Sequence, residues 1–129
     1  MTDPDRYTLA CGSLAGTPYY AEDFSVLNED AGWVKPFLDV VEAHSGKRAV
    51  RTRVMTMAPN RCLSYHIDPD PLRYHLVVDT HDGAMFIVDD KVYRMPMVGG
   101  VYLIHTDKRH TAVNATLSKH RTHIVTCAV

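Results

Sequence analysis

The sequence predicts a mainly β fold, a double-stranded β-helix or jelly roll with one N-terminal helix. From Ala49 onward, short runs of β-branched and aromatic residues alternate with turn residues, a texture typical of all-β sandwiches and barrels. Only one earlier segment, from Ala31 to His44, repeats its apolar residues at helical spacing. Eight short strands with tight connections fit a jelly roll, whose two sheets leave a mouth for a ligand.

Length and composition predict a single domain over residues 1–129, with a lead-in and helix over 1–48 and a jelly-roll core over 49–129. The 46% hydrophobic and 22% charged residues are ordinary globular values, which argues against disorder. Lys and Arg number 14 and Asp and Glu 15, so the net charge is -1. A chain with this near-neutral balance has no excess of basic residues that would predict binding to nucleic acid or to an anionic membrane.

The cysteines and the hydropathy pattern predict a soluble, cytoplasmic protein. Cys11, Cys62 and Cys127 are odd in number and lack C-x-x-C spacing, which argues against a disulfide framework and against a thiolate zinc site. The polar, acidic start lacks the basic and apolar regions of a secretion signal, and no later apolar run reaches bilayer length.

The N-terminal part combines an irregular segment with one helix. Residues 1–30 have little periodicity and predict a loosely packed lead-in, with a single short strand around Arg6 to Ala10. From Ala31 to His44 the helical spacing is followed by Ser45-Gly46, which fits a helix C-cap, and Pro36 is tolerable in the first turn. The apolar residues that show this spacing are Trp33, Val34, Phe37, Leu38 and Val41.

The strands of the core are predicted near 50–57, 62–67, 72–79, 84–88, 92–95, 100–105, 110–113 and 120–127. Clusters of Pro, Gly, Asn and Asp separate them and mark the turns. Pro69-Asp70-Pro71 is one such cluster, and it ends the second strand where a carboxylate lining the mouth would belong.

Two histidines and one aspartate form a candidate metal site. Side chains alternate faces along a strand, so His66 and Asp68 project to the same side, about 6.5 Å apart in backbone rise. His110, at the start of a late strand, would complete a set of two His and one carboxylate. The alternative is that both histidines are ordinary polar residues of a sheet face, since this composition supplies about one His-x-acid by chance.

A second His-x-Asp provides an internal comparison. His105 and Asp107 have the same spacing, but the histidines that follow are too close in sequence to offer a partner two strands away. We therefore expect His105 and Asp107 to take no part in a metal site.

Several segments of the chain resemble the aspartyl/asparaginyl β-hydroxylase-type branch of the Fe(II)/2-oxoglutarate oxygenases, a cupin-like superfamily. The similarity runs in the right order over about residues 50–127. It is carried by the segments 57–68, 72–80, 98–104, 110–114 and 121–125.

The resemblance implies roles for particular residues. The family's iron ligands fall on His66, Asp68 and His110, and the arginine that pairs with the distal carboxylate of 2-oxoglutarate falls on Arg121. Its Arg-x-His falls on Arg73 and His75, which help to hold the oxo-acid end. A small hydroxylic residue is expected on the strand before His66, but its place is taken by Met55 or Thr56, so this sequence departs from the pattern there.

Physical arguments support the role of Arg121. A guanidinium can donate two charge-assisted hydrogen bonds to a carboxylate, and Arg121 lies in an otherwise apolar strand where an unpaired inward charge would be costly. The alternative is an outward-facing arginine on an exposed sheet face. His75 and His123 could equally be hydrogen-bonded core histidines, and we favour that role for His123.

The resemblance implies an Fe(II)- and 2-oxoglutarate-dependent oxygenase that hydroxylates an amino acid or an amino-acid side chain, in a small molecule or a peptide. Two alternatives stay open: a catalytically silent cupin-like binding module, and a cupin enzyme that uses zinc or nickel. Arg121 discriminates between them, because a binding module needs no buried arginine opposite the metal. The short N-terminal part also suggests a homodimer, with Trp33 and Phe37 at the interface, unless both pack the helix onto the sheet.

Overall fold

The computed structural model describes residues 26–68 and 72–129, together with the backbone of 6–8 and 10–11. The predicted turn at Pro69-Asp70-Pro71 and most of the predicted lead-in lie outside the described residues. The predicted early strand is present as β1, Arg6–Thr8, which pairs antiparallel with the first core strand.

The described chain contains one α-helix and short strands that form two main sheets. A 3-10 helix, Glu29–Val34, leads directly into α1, Lys35–Ser45. The strands after β1 are β2 (Ala10–Cys11), β3 (Val26–Leu27), β4 (Ala49–Met57), β5 (Arg61–Cys62), β6 (Leu72–Asp79), β7 (Ala84–Val88), β8 (Lys91–Tyr93), β9 (Val101–His105), β10 (His110–Asn114) and β11 (Arg121–Ala128).

The sheet topology confirms the predicted jelly roll. One sheet has the strand order β1-β4-β11-β6-β9 and the other β5-β10-β7-β8, and the pairs within each are antiparallel. Apart from the hairpin of β7 and β8, paired core strands are not consecutive in sequence, as expected when strands alternate between two sheets. β2 and β3 form a separate ribbon.

Side chains alternate between the two faces along each strand, and both faces of the five-stranded sheet are covered. On the outer face, the helical segment packs onto Tyr74 of β6 and Ile124 of β11 through Ala31, Val34, Phe37 and Val41. On the inner face, Val77 and Ile104 pack against Phe86 and Ala112 of the four-stranded sheet. The interior between the sheets is where the candidate site residues converge.

The helix ends as the sequence indicates, but α1 begins at Lys35, and the first part of the predicted helix, 31–34, belongs to the preceding 3-10 helix. Pro36 lies in its first turn, where the missing N–H costs no hydrogen bond. Gly46 follows with φ 68°, and its N–H donates to the Glu42 carbonyl at 2.9 Å. Phe37 packs against the sheet, the alternative role that the sequence left open for it, whereas Trp33 is 59% exposed.

The second predicted strand, 62–67, is wrong in its extent. β5 covers only Arg61–Cys62, and the chain rejoins β10 further along through an isolated bridge between His66 and His110. The interruption has a local cause: the Thr111 hydroxyl donates to the Leu63 carbonyl at 2.6 Å, so a side chain replaces a ladder hydrogen bond. His66 and Asp68 therefore converge through this bridge and not through regular strand alternation.

Among the residues that the structure describes, no helix is both long and apolar enough to cross a bilayer.

Candidate metal centre

The three residues predicted as metal ligands lie together at one end of the sandwich, the mouth, where β9 ends and β10 begins. Each offers one ligand atom, and these atoms of His66, Asp68 and His110 are all within 4.8 Å of one another. The His110 Nε2 lies 3.0 Å from Asp68 Oδ2, and the His66 Nε2 lies 3.4 Å from Asp68 Oδ1. The arrangement has the size of a site for one ion.

Backbone hydrogen bonds fix the relative position of these residues. The His66 N–H donates to the His110 carbonyl at 3.1 Å, and the His110 N–H donates back to the His66 carbonyl at 2.9 Å. The Asp68 N–H donates to the Thr106 carbonyl at 2.9 Å, which attaches the same segment to the end of β9. The candidate ligands are thus held by main-chain contacts to both sheets.

The imidazole rings are oriented for metal binding by their outer nitrogens. His66 Nδ1 lies 2.5 Å from the Ser64 carbonyl oxygen, and His110 Nδ1 lies 2.8 Å from the Lys108 carbonyl oxygen. A carbonyl only accepts, so each Nδ1 carries the hydrogen and each Nε2 of a neutral ring presents a lone pair. These lone pairs face carboxylate oxygens. The nitrogen lone pairs and the carboxylate oxygens repel one another, and a cation placed between them would remove this repulsion. The donor set therefore fits a metal ion.

Arg73, which the resemblance assigns to the oxo-acid end of the co-substrate, lies beside Asp68. Its Nη1 lies 3.2 Å from Asp68 Oδ2, so the guanidinium contacts the candidate ligand carboxylate itself. Its buried Nε has no hydrogen-bond partner and stays available to another acceptor. Arg73 reaches Asp68 because β6 begins at Leu72, immediately beyond the segment that carries the carboxylate. The contact holds Asp68 in place from the side away from His66.

Arg121, the first residue of β11, is 3% exposed and faces inward, as the sequence argument favoured. Burial lowers the pKa of its guanidinium from 12.5 to about 10, so it stays protonated at neutral pH. Its Nε and Nη1 are buried without a hydrogen-bond partner, and its Cζ lies 5.4 Å from the centroid of the Phe86 ring. A buried cation with two unused donors fits an anionic ligand.

The candidate ligands and the two arginines line one narrow cavity. Its volume is about 50 Å³. Its polar walls are formed by His66, Asp68, Arg73, His75, Thr106, His110 and Arg121. The cavity therefore combines a possible metal position with buried cationic donors.

His75 and His123 form a buried neutral pair deeper between the sheets. Their Nδ1 atoms are 3.1 Å apart, so one ring donates to the other. Burial lowers the pKa of His75 well below its usual value, and the nearby charges of His123 and of Arg121, Arg53 and Arg73 add to the effect. Burial, followed by the Arg121 charge, lowers the pKa of His123 from 6.5 to about 3. His123 also stacks on Phe86 with an interplanar angle of 20°, as a core histidine does.

The position at which the family has a small hydroxylic residue falls on or beside Met55 and Thr56 of β4, and a threonine from another segment also lines the cavity. Met55 lines the cavity, while the Thr56 hydroxyl bonds Thr122 at 3.1 Å across the strands. Thr106 lines the cavity instead and was missed from sequence. Thr106 is buried between the exposed His105 and Asp107 in the turn after β9, a position that no local sequence pattern predicts.

The fold and these side chains define a class: a jelly-roll protein with a two-histidine, one-carboxylate cluster beside a buried arginine. The chain matches no protein-family model. Over 84 residues it is 32% identical to L-proline cis-4-hydroxylase of Rhizobium meliloti (strain 1021). The match covers 60% of this chain, but the chain spans only 30% of the length of that relative.

Solved structures share the fold at low sequence identity. An oxidoreductase of the 2OG-Fe(II) oxygenase family from Burkholderia pseudomallei has a TM-score of 0.67 at 16% identity, over 95% of this chain and 64% of that one. A predicted oxalate decarboxylase from Thermotoga maritima has a TM-score of 0.50 at 15% identity, over 68% and 72%. These structures show that the chain shares a cupin-like, jelly-roll fold with them.

Proposed function

We propose that the chain is an Fe(II)- and 2-oxoglutarate-dependent oxygenase that hydroxylates an amino acid or an amino-acid side chain. We place it in the aspartyl/asparaginyl β-hydroxylase-type branch, which the sequence resembles. One observation carries the proposal: His66, Asp68 and His110 line the same cavity as the buried Arg121, whose Nε and Nη1 have no partner. The similarity to a proline hydroxylase supports the same reaction type.

The charges around the cavity favour an anionic co-substrate. Arg73 and Arg121 are both largely buried, and Asp68 is the single acidic residue among the described residues that line the cavity. A divalent ion adds further positive charge. A dianion such as 2-oxoglutarate would neutralise most of this excess, whereas a neutral ligand would leave it uncompensated in a poorly solvated space.

Each residue then has a defined task. His66, Asp68 and His110 would hold Fe(II), with the tautomers of both rings set by the Ser64 and Lys108 carbonyls. When bound, the iron and 2-oxoglutarate supply the activation of O2, which places one oxygen atom in the hydroxylated substrate and the other in succinate with release of CO2.

The other residues position the co-substrate and keep the cavity dry. Arg121 would orient the distal carboxylate of 2-oxoglutarate through one of its unpartnered guanidinium N–H donors. Arg73 keeps Asp68 turned toward the two imidazoles. The apolar walls, which include Phe86 and Ile104, exclude water from the space between the arginine and the candidate ligands.

The proposal is tested by adding Fe(II) and then 2-oxoglutarate under anaerobic conditions and recording the visible charge-transfer band of the chelate. We expect a band in the wild-type protein and in His105→Ala, and no band in His110→Ala. His105 is a matched control because it belongs to the second His-x-Asp and is exposed. Absence of the band from the wild type, or a band of equal strength in His110→Ala, would refute the proposed triad.

Succinate production separates the oxygenase from the two alternatives. A silent binding module forms no succinate from 2-oxoglutarate and O2, with or without a bound metal. Imidazole and carboxylate ligands also bind zinc and nickel, so a cupin enzyme of another type would be active without 2-oxoglutarate. We expect succinate to form only with Fe(II), and at a lower rate without substrate.

A further inference from the structure

A second and larger cavity adjoins the metal centre. It has a volume of about 340 Å³ and lies between the edge strands β8 and β9. Phe86 and Ile104 line both cavities and form the common wall. The first cavity, at about 50 Å³, is much smaller, so the second cavity is the larger space available to a substrate beside the metal centre.

The walls of this second cavity are mostly apolar. Val88 of β7, Leu103 of β9 and the buried Met95 continue the surface of Phe86 and Ile104. A volume above 300 Å³ with apolar and aromatic walls and few polar groups is typical of small-molecule sites. The cavity therefore fits a ligand with an apolar body.

The charged residues of the second cavity are all basic. Arg94 lines it near the end of β8, and Lys108 lines it in the turn between β9 and β10. No Asp or Glu is among the described residues that line it. Arg94 is held in place because its Nη1 donates to the Asp82 carbonyl. Two cations without an acidic neighbour in the wall favour a carboxylate and disfavour an ammonium group.

Lys108 also connects the second cavity to the metal centre. Its carbonyl accepts the hydrogen bond from His110 Nδ1 at 2.8 Å, so the backbone that orients one candidate ligand also carries a cation of the second cavity. A ligand anchored by its carboxylate near Lys108 would extend along the wall shared with the metal centre.

We propose that the second cavity binds the substrate of the oxygenase, and that this substrate is an apolar amino acid whose amino group is acylated and whose carboxylate is free. The proposal rests on the proposed function for the reaction, but the binding itself does not require iron. The carboxylate lies at Lys108 and Arg94, the apolar side chain contacts Phe86 and Ile104, and the acyl group removes the ammonium charge for which the wall has no acidic partner.

Binding is tested by calorimetric titration of N-acetyl-L-leucine into the protein, both metal-free and loaded with Fe(II) and 2-oxoglutarate without O2. We expect N-acetyl-L-leucine to bind at least tenfold more tightly than L-leucine, which carries an ammonium, and than N-acetyl-L-leucinamide, which lacks the carboxylate. Equal binding of the three compounds, or no binding of any, would overturn the proposal.

Variants of the basic residues locate the site. Lys108→Met and Arg94→Met should each raise the Kd for N-acetyl-L-leucine about tenfold, as loss of one charge-assisted contact predicts. Lys91→Met is the matched control, because Lys91 is an exposed lysine of β8 that does not line the cavity, and its Kd should stay within twofold. All three positions are exposed, so the variants should fold.

The outcomes of these experiments distinguish the proposal of a substrate cavity from the proposal of an oxygenase. A normal charge-transfer band with no effect of Lys108→Met and Arg94→Met on the Kd refutes the substrate cavity and leaves the oxygenase in place. Selective binding to the metal-free protein without a band supports the cavity and refutes the iron site. As a second check on location, Val88→Phe narrows the cavity and should weaken N-acetyl-L-leucine binding while the charge-transfer band is unchanged.

Discussion

Arg121 combines deep burial with two unused donors, which makes it the residue whose replacement is most informative. Arg121→Met should raise the Kd for 2-oxoglutarate about 100-fold, because a charge-assisted contact between a buried guanidinium and a carboxylate is lost. Metal affinity should change by less than about threefold, since the candidate ligands are untouched. The charge-transfer band, titrated with 2-oxoglutarate at fixed Fe(II), measures the first value.

The control for this variant is Arg61→Met, an exposed arginine of β5. Its Kd for 2-oxoglutarate should match that of the wild type. An unchanged Kd in Arg121→Met would mean that the co-substrate binds elsewhere.

The buried pair of His75 and His123 makes the stability of the metal-free protein depend on pH. Both pKa values are lower in the folded state than the ordinary 6.5, and that of His123 falls to about 3. Between the folded-state pKa values and the unfolded-state value of 6.5, the unfolded chain binds more protons than the folded protein. The contribution of the pair to the free energy of unfolding is therefore fully present above pH 6.5 and is lost as the pH falls. Each histidine contributes a slope of about 1.4 kcal/mol per pH unit.

Denaturant unfolding of the metal-free protein between pH 7 and pH 4.5 measures this slope. His123→Leu should be less stable at pH 7, because His75 loses its partner, but should lose less stability on acidification. His120→Gln, which removes an exposed histidine, should reproduce the wild-type slope. A wild-type slope in His123→Leu would show that the pair does not control acid unfolding.

Two glycines at element ends should differ in their cost of substitution. Gly46, the cap of α1, has φ 68° and open space where the Cβ of an alanine would lie, so Gly46→Ala should cost about 1 kcal/mol from backbone strain alone. At Gly83, before β7, a Cβ would lie 2.3 Å from the Ala115 carbonyl oxygen. Gly83→Ala must separate two backbone segments and should cost at least twice as much.

Denaturant midpoints of the two variants give the comparison. An equal cost would mean that the segment at Ala115 moves aside freely. Gly46→Ala also serves as the control for a glycine substitution that affects folding alone, because the helix end lies on the far side of the five-stranded sheet from the metal centre.

The elements were predictable to different degrees, for physical reasons. The helix followed from its apolar spacing, Pro36 and Gly46, and seven core strands followed from their β-branched runs. The extent of β5 did not, because the hydroxyl of Thr111 replaces a ladder contact and its partner Leu63 is 48 positions away in sequence. Local pattern carries no information on such a contact.

The residues of the candidate site were also predictable from the sequence only in part. The residue types and spacing of His66, Asp68, His110 and Arg121 could be read from sequence with the help of the family resemblance. The contact of Arg73 with Asp68 and the inward position of Thr106 could not, because both depend on where β6 begins and β9 ends. The second cavity depends on two edge strands and has no local signature at all.

For the whole molecule, metal binding should be coupled to stability. A ligand that binds only the folded state at 100 times its Kd stabilises that state by about 2.7 kcal/mol, which raises the Tm of a domain of this size by several degrees. We expect this rise on anaerobic addition of Fe(II) to the wild type and to His105→Ala, and none for His110→Ala. Thermal unfolding followed by circular dichroism measures it, and a rise in His110→Ala would place the metal elsewhere.

The reciprocal pair of backbone hydrogen bonds between His66 and His110 provides an internal reporter of opening at the mouth. Each amide hydrogen of this pair can exchange with solvent only when the same bridge breaks, and breaking it also separates the two imidazoles. Their protection factors, the exchange rates corrected for the intrinsic rate of each amide, should therefore be equal and should rise together when the ion binds. Deuterium uptake at two residues would then give the free energy of opening the site without any measurement of turnover.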